Sequence, residues 1–134
     1  MTAIHPFTEL LDRDRRYKLE AYQFIREALS YAHDVMRMHE APDPESEETR
    51  HITGQQLCEA CRVYALEQYG FMAKLVLNRW GLNCTGDFGE IVYNLIEIEQ
   101  MKKSESDRRE DFDDAYDFDT AFEPQFSVAS PDEV

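Results

Sequence analysis

The residues with the clearest potential for chemistry are three cysteines and one histidine in the middle of the chain. Cys58 and Cys61 form a Cys-x-x-Cys pair, His51 precedes the pair and Cys84 follows it. Three thiolates and one imidazole could bind zinc tetrahedrally. The pair falls on the apolar face of a predicted helix, however, where buried cysteines behave as small hydrophobic residues. Metal-binding pairs usually lie in tight turns, and redox pairs lie at a helix N-terminus. We therefore expect no metal and no cofactor.

Arg50 and His51 form a second group, together with the carboxylates of Asp107 and Asp111. Histidine titrates near pH ~6.5 and could serve as a base or a switch, and an arginine beside it could grip a carboxylate. No nucleophile or partner base accompanies them in the sequence. The simpler interpretation is that Arg50 pairs with Asp107 or Asp111, while His51 caps a helix end.

Several familiar catalytic and metal motifs are incomplete in this chain. Asp87, Phe88 and Gly89 spell the magnesium motif of kinases, but the glycine-rich loop, strand lysine and catalytic loop are missing from the sequence. The acidic C-terminal segment lacks the central glycine and final glutamate of a calcium-binding loop. These motifs therefore indicate no activity.

The charge of the chain argues against two classes of partner. The 134 residues include 28 Asp and Glu but 14 Lys and Arg, a net charge of −14. Such a chain repels nucleic-acid phosphates and anionic membranes, and its apolar runs are shorter than the ~20 residues of a membrane span. We expect neither nucleic-acid nor membrane binding. Three cysteines, an odd number, and an N-terminus unlike a secretion signal favour a cytoplasmic protein with reduced thiols.

The elements that would position these residues are helices. Apolar residues at steps of three and four predict a long helix over 17–39 and a tri-helical core of 54–69, 71–80 and 87–100 packed on it. Helix 54–69 begins with a capping box of Thr53 and Gln56 and ends at Gly70. We expect Asp87 and Glu90 to cap the third core helix in the same way. Helix 71–80 is apolar almost all round, so it should be buried or form an interface.

The chain is short enough to form a single domain over 1–122, with an acidic surface loop at 40–50 and a disordered tail at 123–134. The segment 101–122 alternates acids with Phe112, Tyr116, Phe118 and Phe122, which predicts buried rings and solvated carboxylates. Its spacings fit a short β-hairpin, an extended arm or a helical turn, so the fold is mainly α and winged-helix-like at most. A winged helix would read DNA with helix 87–100, but that helix carries acids and no Lys or Arg.

Four blocks of the sequence resemble a small family of bacterial proteins for which no biochemical function is established. The blocks are RHITGQQL, EQYGFMAKLVLNRWG, DFGEIVYNLI and REDFDDAYDFDTAF. The resemblance spans roughly residues 15–122. It marks these positions: Arg50, His51, Gly54, Tyr69, Gly70, Trp80, Gly81, Asp87, Phe88, Gly89, Asp107, Asp111 and Phe112. This chain departs from the family near residue 98, where the string EIEQ replaces an expected glycine.

These observations favour a non-catalytic protein-binding or adaptor domain. The apolar helix 71–80 and the acid-aromatic segment offer contact surfaces, and an apolar patch would also allow a homodimer. The binding residues that we expect are Arg50, His51, Tyr69, Trp80, Asp87, Asp107, Asp111 and Phe112. The alternative is an enzyme or metal-binding protein that uses His51, the cysteines at 58, 61 and 84, or Asp107 and Asp111.

Overall fold

A computed structural model describes residues 6–37, 52–101 and 108–123. These residues form a mainly α-helical domain, as predicted, and contain no β-strand. The helices are α1 (Pro6–Arg13), α2 (Leu19–Asp34), α3 (Gly54–Tyr69), α4 (Ala73–Arg79), α5 (Thr85–Glu97) and α6 (Phe118–Ala121). Two 3₁₀ turns, Gly70–Met72 and Arg109–Phe112, precede α4 and α6 respectively. None of these helices is long and apolar enough to cross a membrane.

The core lies where α2 and α3 pack together and α5 closes over them. Helix α2 buries Ala21, Phe24, Ile25, Ala28 and Ala32, which recur at steps of three and four along one face. The helix is shorter than the predicted span of 17–39. Tyr17 and Lys18 lie outside it, because the backbone of Lys18 is extended and its N–H donates to the carbonyl of Trp80.

Helix α3 has the predicted bounds and the predicted cap. The backbone N–H of Gln56 donates to the Thr53 hydroxyl, and the Gln56 side chain accepts from the Thr53 N–H in return. Two orphan donors of the first turn are thereby satisfied. The acidic loop 40–50 that precedes this helix, and the predicted tail beyond residue 123, lie outside the described residues.

Glycines with positive φ end the two helical segments before α5. Gly70 has φ +53 and closes α3, and Gly81 has φ +99 after α4. A β-carbon at Gly81 would overlap the carbonyl oxygen of Arg16. Glycine is therefore required there both by backbone conformation and by the close approach of the N-terminal segment.

Helix α5 begins at Thr85, two residues before the predicted start, and the prediction that Asp87 is its cap is wrong. Cys84 is the N-cap residue, and the Asp87 carboxylate reaches back from the first turn to accept the N–H groups of Asn83 and Cys84. The helix ends at Glu97 in a tight turn with Glu99 at φ +61. The resemblance predicted a glycine near this position; the turn forms here with an L-residue in the left-handed region.

The described C-terminal segment, 108–123, is helical and irregular. A β-hairpin or extended arm is therefore wrong for these residues, and the helical spacing of Phe118 and Phe122 is the correct one. The predicted burial is confirmed for Phe112, Phe118 and Phe122, whereas Tyr116 is half-buried; the neighbouring acids are exposed or half-buried. The aromatic rings of this segment pack into the helical core, and its backbone does not pair with a neighbouring strand.

The ring of Phe112 packs between α3 and α5 and fixes this segment to both helices. A β-carbon on Gly89 would lie 2.8 Å from the Phe112 Cγ, and one on Gly54 would lie 2.9 Å from its Cε2. The buried hydroxyl of Thr85 donates to the Phe112 carbonyl at 2.6 Å and accepts the N–H of Ala115 at 3.1 Å. We call this arrangement the Phe112 clamp; it consists of Phe112, Gly54, Gly89 and Thr85.

The clamp predicts opposite effects for the same substitution at two glycines of α5. Gly89→Ala and Gly86→Ala both gain helix propensity, about 1 kcal/mol. At Gly89 the new methyl group overlaps the Phe112 ring, whereas at Gly86 the nearest atom is the Cys84 sulfur at 3.6 Å, an ordinary contact. We expect urea denaturation to show Gly89→Ala less stable than Gly86→Ala by about 1–3 kcal/mol. Equal stability of the two variants would contradict the clamp.

Candidate functional site

The structure does not bring the predicted binding residues together in one site. Arg50, His51 and Asp107 lie outside the described residues, so their predicted roles are untested. The other five occupy three separate places: Asp87 at the start of α5, Tyr69 with Trp80 beside α4, and Asp111 with Phe112 at the clamp. Each place has partners within the fold.

Asp87 connects the N-terminal segment to α5. Its carboxylate accepts the Tyr17 hydroxyl at 2.6 Å and the N–H of Asn83 at 2.8 Å. Burial and this neighbouring carboxylate together raise the pKa of Tyr17 well above its usual range, so the phenol stays a hydrogen-bond donor. The arrangement fixes a helix start and leaves Asp87 little capacity for an outside ligand.

Tyr69 and Trp80 meet edge to face, with ring centroids 5.8 Å apart, and Trp80 also lies 6.0 Å from the core ring of Phe24. Both rings are half-buried. They close the end of the α3–α4 unit against α2, and aromatic pairs of this geometry add about 0.5–1.5 kcal/mol beyond burial. Their role in this position is packing.

Asp111 lies against the first residue of α3. A β-carbon built on Gly54 would lie 2.9 Å from the β-carbon of Asp111. Its carboxylate accepts the Arg108 N–H at 3.4 Å, so it caps the turn Arg109–Phe112. Asp111 and Phe112 therefore hold the C-terminal segment in place, which the sequence pattern alone could not distinguish from binding.

Burial disfavours metal binding by two of the three cysteines. Cys58 and Cys61 are buried on the inner face of α3; burial raises the pKa of Cys58 to about 12 and that of Cys61 well above its usual value. A metal needs thiolates, and desolvation opposes their formation. Cys84 is exposed at the start of α5. In the described ranges, no three His, Cys, Asp or Glu residues form a group that could hold a metal ion.

Sequence reasoning missed a surface groove between α3 and the C-terminal segment. Its volume is about 770 Å³, within the range of ligand and peptide sites. We call it the α3–α6 groove. It is lined by Glu59, Arg62, Leu66, Gly70, Phe71, Ala115, Tyr116, Thr120, Ala121 and Glu123. The two walls are separated by some fifty residues of chain, so no local pattern could reveal that they meet; the apolar character of Phe71 and its neighbours was the available signal.

The groove continues onto an exposed apolar surface at the start of α4. Phe71 is 69% exposed, Leu75 60% and Met72 40%, while Ala73 and Leu77 of the same stretch are buried. We call Phe71, Met72 and Leu75 the 71–75 patch. Of the two expectations for helix 71–80, buried or interfacial, full burial is therefore wrong.

The outer face of α5 carries a set of charge pairs. Glu90 of α5 binds Arg109 and lies 3.2 Å from Arg16, which also binds Asp14 at 2.7 Å. Asn94 donates to Asp14 at 3.0 Å. The outer face of α5 thus holds the N-terminal and C-terminal segments and is not an open surface.

No protein-family model, curated protein or solved structure matches this chain. The resemblance to the bacterial family therefore stays a prediction, and the candidate site rests on the geometry of the groove and the patch.

The charge pairs on α5 predict a loss of stability in acid. The guanidinium of Arg16 lowers the pKa of Asp14, and those of Arg109 and Arg16 lower the pKa of Glu90. Carboxylates with lowered pKa in the folded state stabilise it above their unfolded pKa of about 4, and this stabilisation is lost as pH falls. We expect the free energy of unfolding of the wild-type protein to decrease between about pH 5 and pH 3. We expect Glu90→Gln to have a lower free energy of unfolding at pH 7 and a smaller decrease over the same pH range. Glu99→Gln, outside these pairs, is the matched control; a Glu90→Gln curve like that of wild type would contradict the argument.

The burial of the cysteines predicts how many thiols react with a labelling reagent in the folded protein. In the folded protein a water-soluble disulfide reagent should titrate one thiol, that of Cys84, whereas guanidinium unfolding should expose all three. The Cys84 reaction should be slower than that of a free thiol, because desolvation and Asp87 raise its pKa. Cys84→Ser should abolish the native reaction. Rapid labelling of Cys58 or Cys61 would overturn the buried assignment and reopen the metal and redox alternatives.

Proposed function

We propose that this protein is a non-catalytic protein-binding domain whose contact surface is the 71–75 patch together with the α3–α6 groove. The observation that carries the proposal is the exposure of Phe71 and Leu75, which are 69% and 60% accessible on one short helical stretch. Residues three and four apart share a helix face, so Phe71, Met72 and Leu75 form one patch. Single exposed apolar residues are ordinary, but a cluster beside a groove is typical of an interaction site.

The position of α4 explains why this surface stays open. The helix has seven residues and buries Ala73 and Leu77 against the body. Leu75 of α4 and Phe71 of the preceding turn stay exposed, because no described element packs over them closely enough to cover them. A partner that buried these side chains would gain roughly 25 cal/mol for each Å² of apolar surface removed from water.

A different protein is a better partner for this surface than a second copy. The segment 113–123 beside the groove contains five acids and no Lys or Arg, and the chain carries −14 in total. In a two-fold symmetric dimer both copies would bring the same acidic segment to the interface, and like charges brought close together oppose association. Homodimerisation is therefore the less favoured arrangement and becomes an outcome of the test.

The alternative of an enzyme or metal-binding protein has less support. His51 and Asp107 lie outside the described residues, Asp111 caps a turn, and Cys58 and Cys61 are buried. The open groove also lacks an enclosed set of acid, base and nucleophile among the residues that line it. Binding without catalysis is the function that this geometry supports best.

Two aliphatic residues of nearly equal exposure provide a matched test. Leu75 is 60% exposed within the patch, and Val35 is 61% exposed at the end of α2, outside it. Tagged wild-type protein, Leu75→Ser and Val35→Ser would be used to capture proteins from an extract of the source organism. We expect a stoichiometric protein that wild type and Val35→Ser retain and that Leu75→Ser loses by about tenfold, the loss of roughly 1.4 kcal/mol.

A site-specific photo-cross-linker localises the contact independently of stability. Placed at residue 75 it should link the captured protein, and placed at residue 35 it should not. Equal capture by the two serine variants, or recovery of the bait alone, would overturn the proposal. A concentration-dependent dimer in analytical ultracentrifugation that Leu75→Ser abolishes would assign the patch to a second copy instead.

A further inference from the structure

The α3–α6 groove has an apolar floor that is already formed. Leu66, Phe71, Tyr116 and Ala121 line it. The Tyr116 hydroxyl donates to the Cys58 carbonyl at 2.7 Å, and its ring stacks on Phe118 at 6.1 Å and meets Phe122 edge to face at 5.9 Å. Rings fixed in this way lose little freedom when a ligand binds, which favours affinity.

The rim of the groove carries two acids, Glu59 and Glu123, and one cation, Arg62, which is paired with Glu59. Outside the lining, Lys74 of α4 binds Asp119 of α6. No ion pair within the described part of the chain reaches Glu123, which lines the groove. The same C-terminal segment carries Asp113, Asp114 and Asp117, which are exposed but do not line the groove. A ligand on this floor therefore meets the carboxylate of Glu123, and further acids lie in the adjoining chain.

We infer that the groove binds a basic amphipathic helix of the partner protein, an inference that rests on the proposed function. An apolar helix face fits a floor between α3 and α6, as in other helix-in-groove complexes, and Lys or Arg on its flank would reach Glu123 and the neighbouring aspartates. Phosphate-bearing ligands and acidic peptides are repelled by the same rim. The described residues offer no open strand edge to which an extended peptide could add.

The test uses two synthetic peptides of about five helical turns with the same leucine face. One carries lysines on its polar face and the other carries glutamates. Fluorescence anisotropy with the full chain measures the dissociation constant (Kd) of each at about 50 mM and about 300 mM salt. We expect the lysine peptide to bind at least about tenfold more tightly at low salt, with the difference shrinking at high salt.

Two charge-reversal variants distinguish binding of the peptide in the groove from its attraction to the net charge of the chain. Glu123→Lys and Glu99→Lys change the net charge equally, but Glu123 lines the groove and Glu99 lies beyond the end of α5. We expect Glu123→Lys to weaken the lysine peptide about fivefold and Glu99→Lys less than twofold. Equal effects, or equal binding of the glutamate peptide, would overturn the inference. Chemical-shift changes at Leu66 and Ala121 but not at Val35, in wild-type protein, provide a readout that does not depend on a variant folding.

The two proposals can fail separately. If the protein captured from extract is lost by Leu75→Ser but kept by Glu123→Lys, the 71–75 patch is the interface and the groove inference is wrong. If both variants lose it while Val35→Ser and Glu99→Lys keep it, the patch and groove act as one surface.

Discussion

The packing of one phenylalanine ring against two glycines is the contact on which the domain depends. Phe112 enters the space that side chains at Gly54 and Gly89 would fill, so α3 and α5 can approach the same ring from two sides. The Thr85 hydroxyl completes this contact by bonding the backbone on both sides of the turn. A buried aromatic ring contributes several kcal/mol, and the cost of its removal is about 3–5 kcal/mol, so the C-terminal segment belongs to the core and is not an appendage.

Two surfaces of the domain differ in how far contacts within the fold already occupy them. On α5, Glu90 binds arginines of the N-terminal and C-terminal segments, and Asp87 binds Tyr17, so the outer face of this helix is occupied. Near α4 the surface is open: the turn Gly70–Met72 exposes Phe71 and α4 exposes Leu75, and Phe71 also lines the α3–α6 groove. The described acids therefore differ in role: Asp14, Asp87 and Glu90 bind groups within the fold, whereas Glu123 lines the groove, where the proposed basic partner would meet it.

Most residues that the family resemblance marks have structural reasons for their identity. Gly54 and Gly89 accommodate Phe112, Gly81 admits the Arg16 carbonyl, Asp87 organises the start of α5, and Trp80 closes the core. The groove-lining residues Arg62, Tyr116, Ala121 and Glu123 fall largely outside that set. These marked positions therefore make contacts within the fold, whereas the proposed binding surface rests on exposure, shape and charge.

The sequence alone determined the features that depend on neighbouring residues. The capping box at Thr53, the bounds of α3, the positive φ of Gly70 and Gly81 and the burial of the C-terminal rings follow from side chains a few positions apart. Tertiary structure decided the rest. Tyr17 lies outside the predicted helix because the Lys18 N–H donates to the Trp80 carbonyl. The N-cap of α5 is Cys84 and not Asp87. Leu75 is exposed because the core is already filled by Ala73 and Leu77, and the groove forms between segments far apart in the chain, which no local pattern encodes.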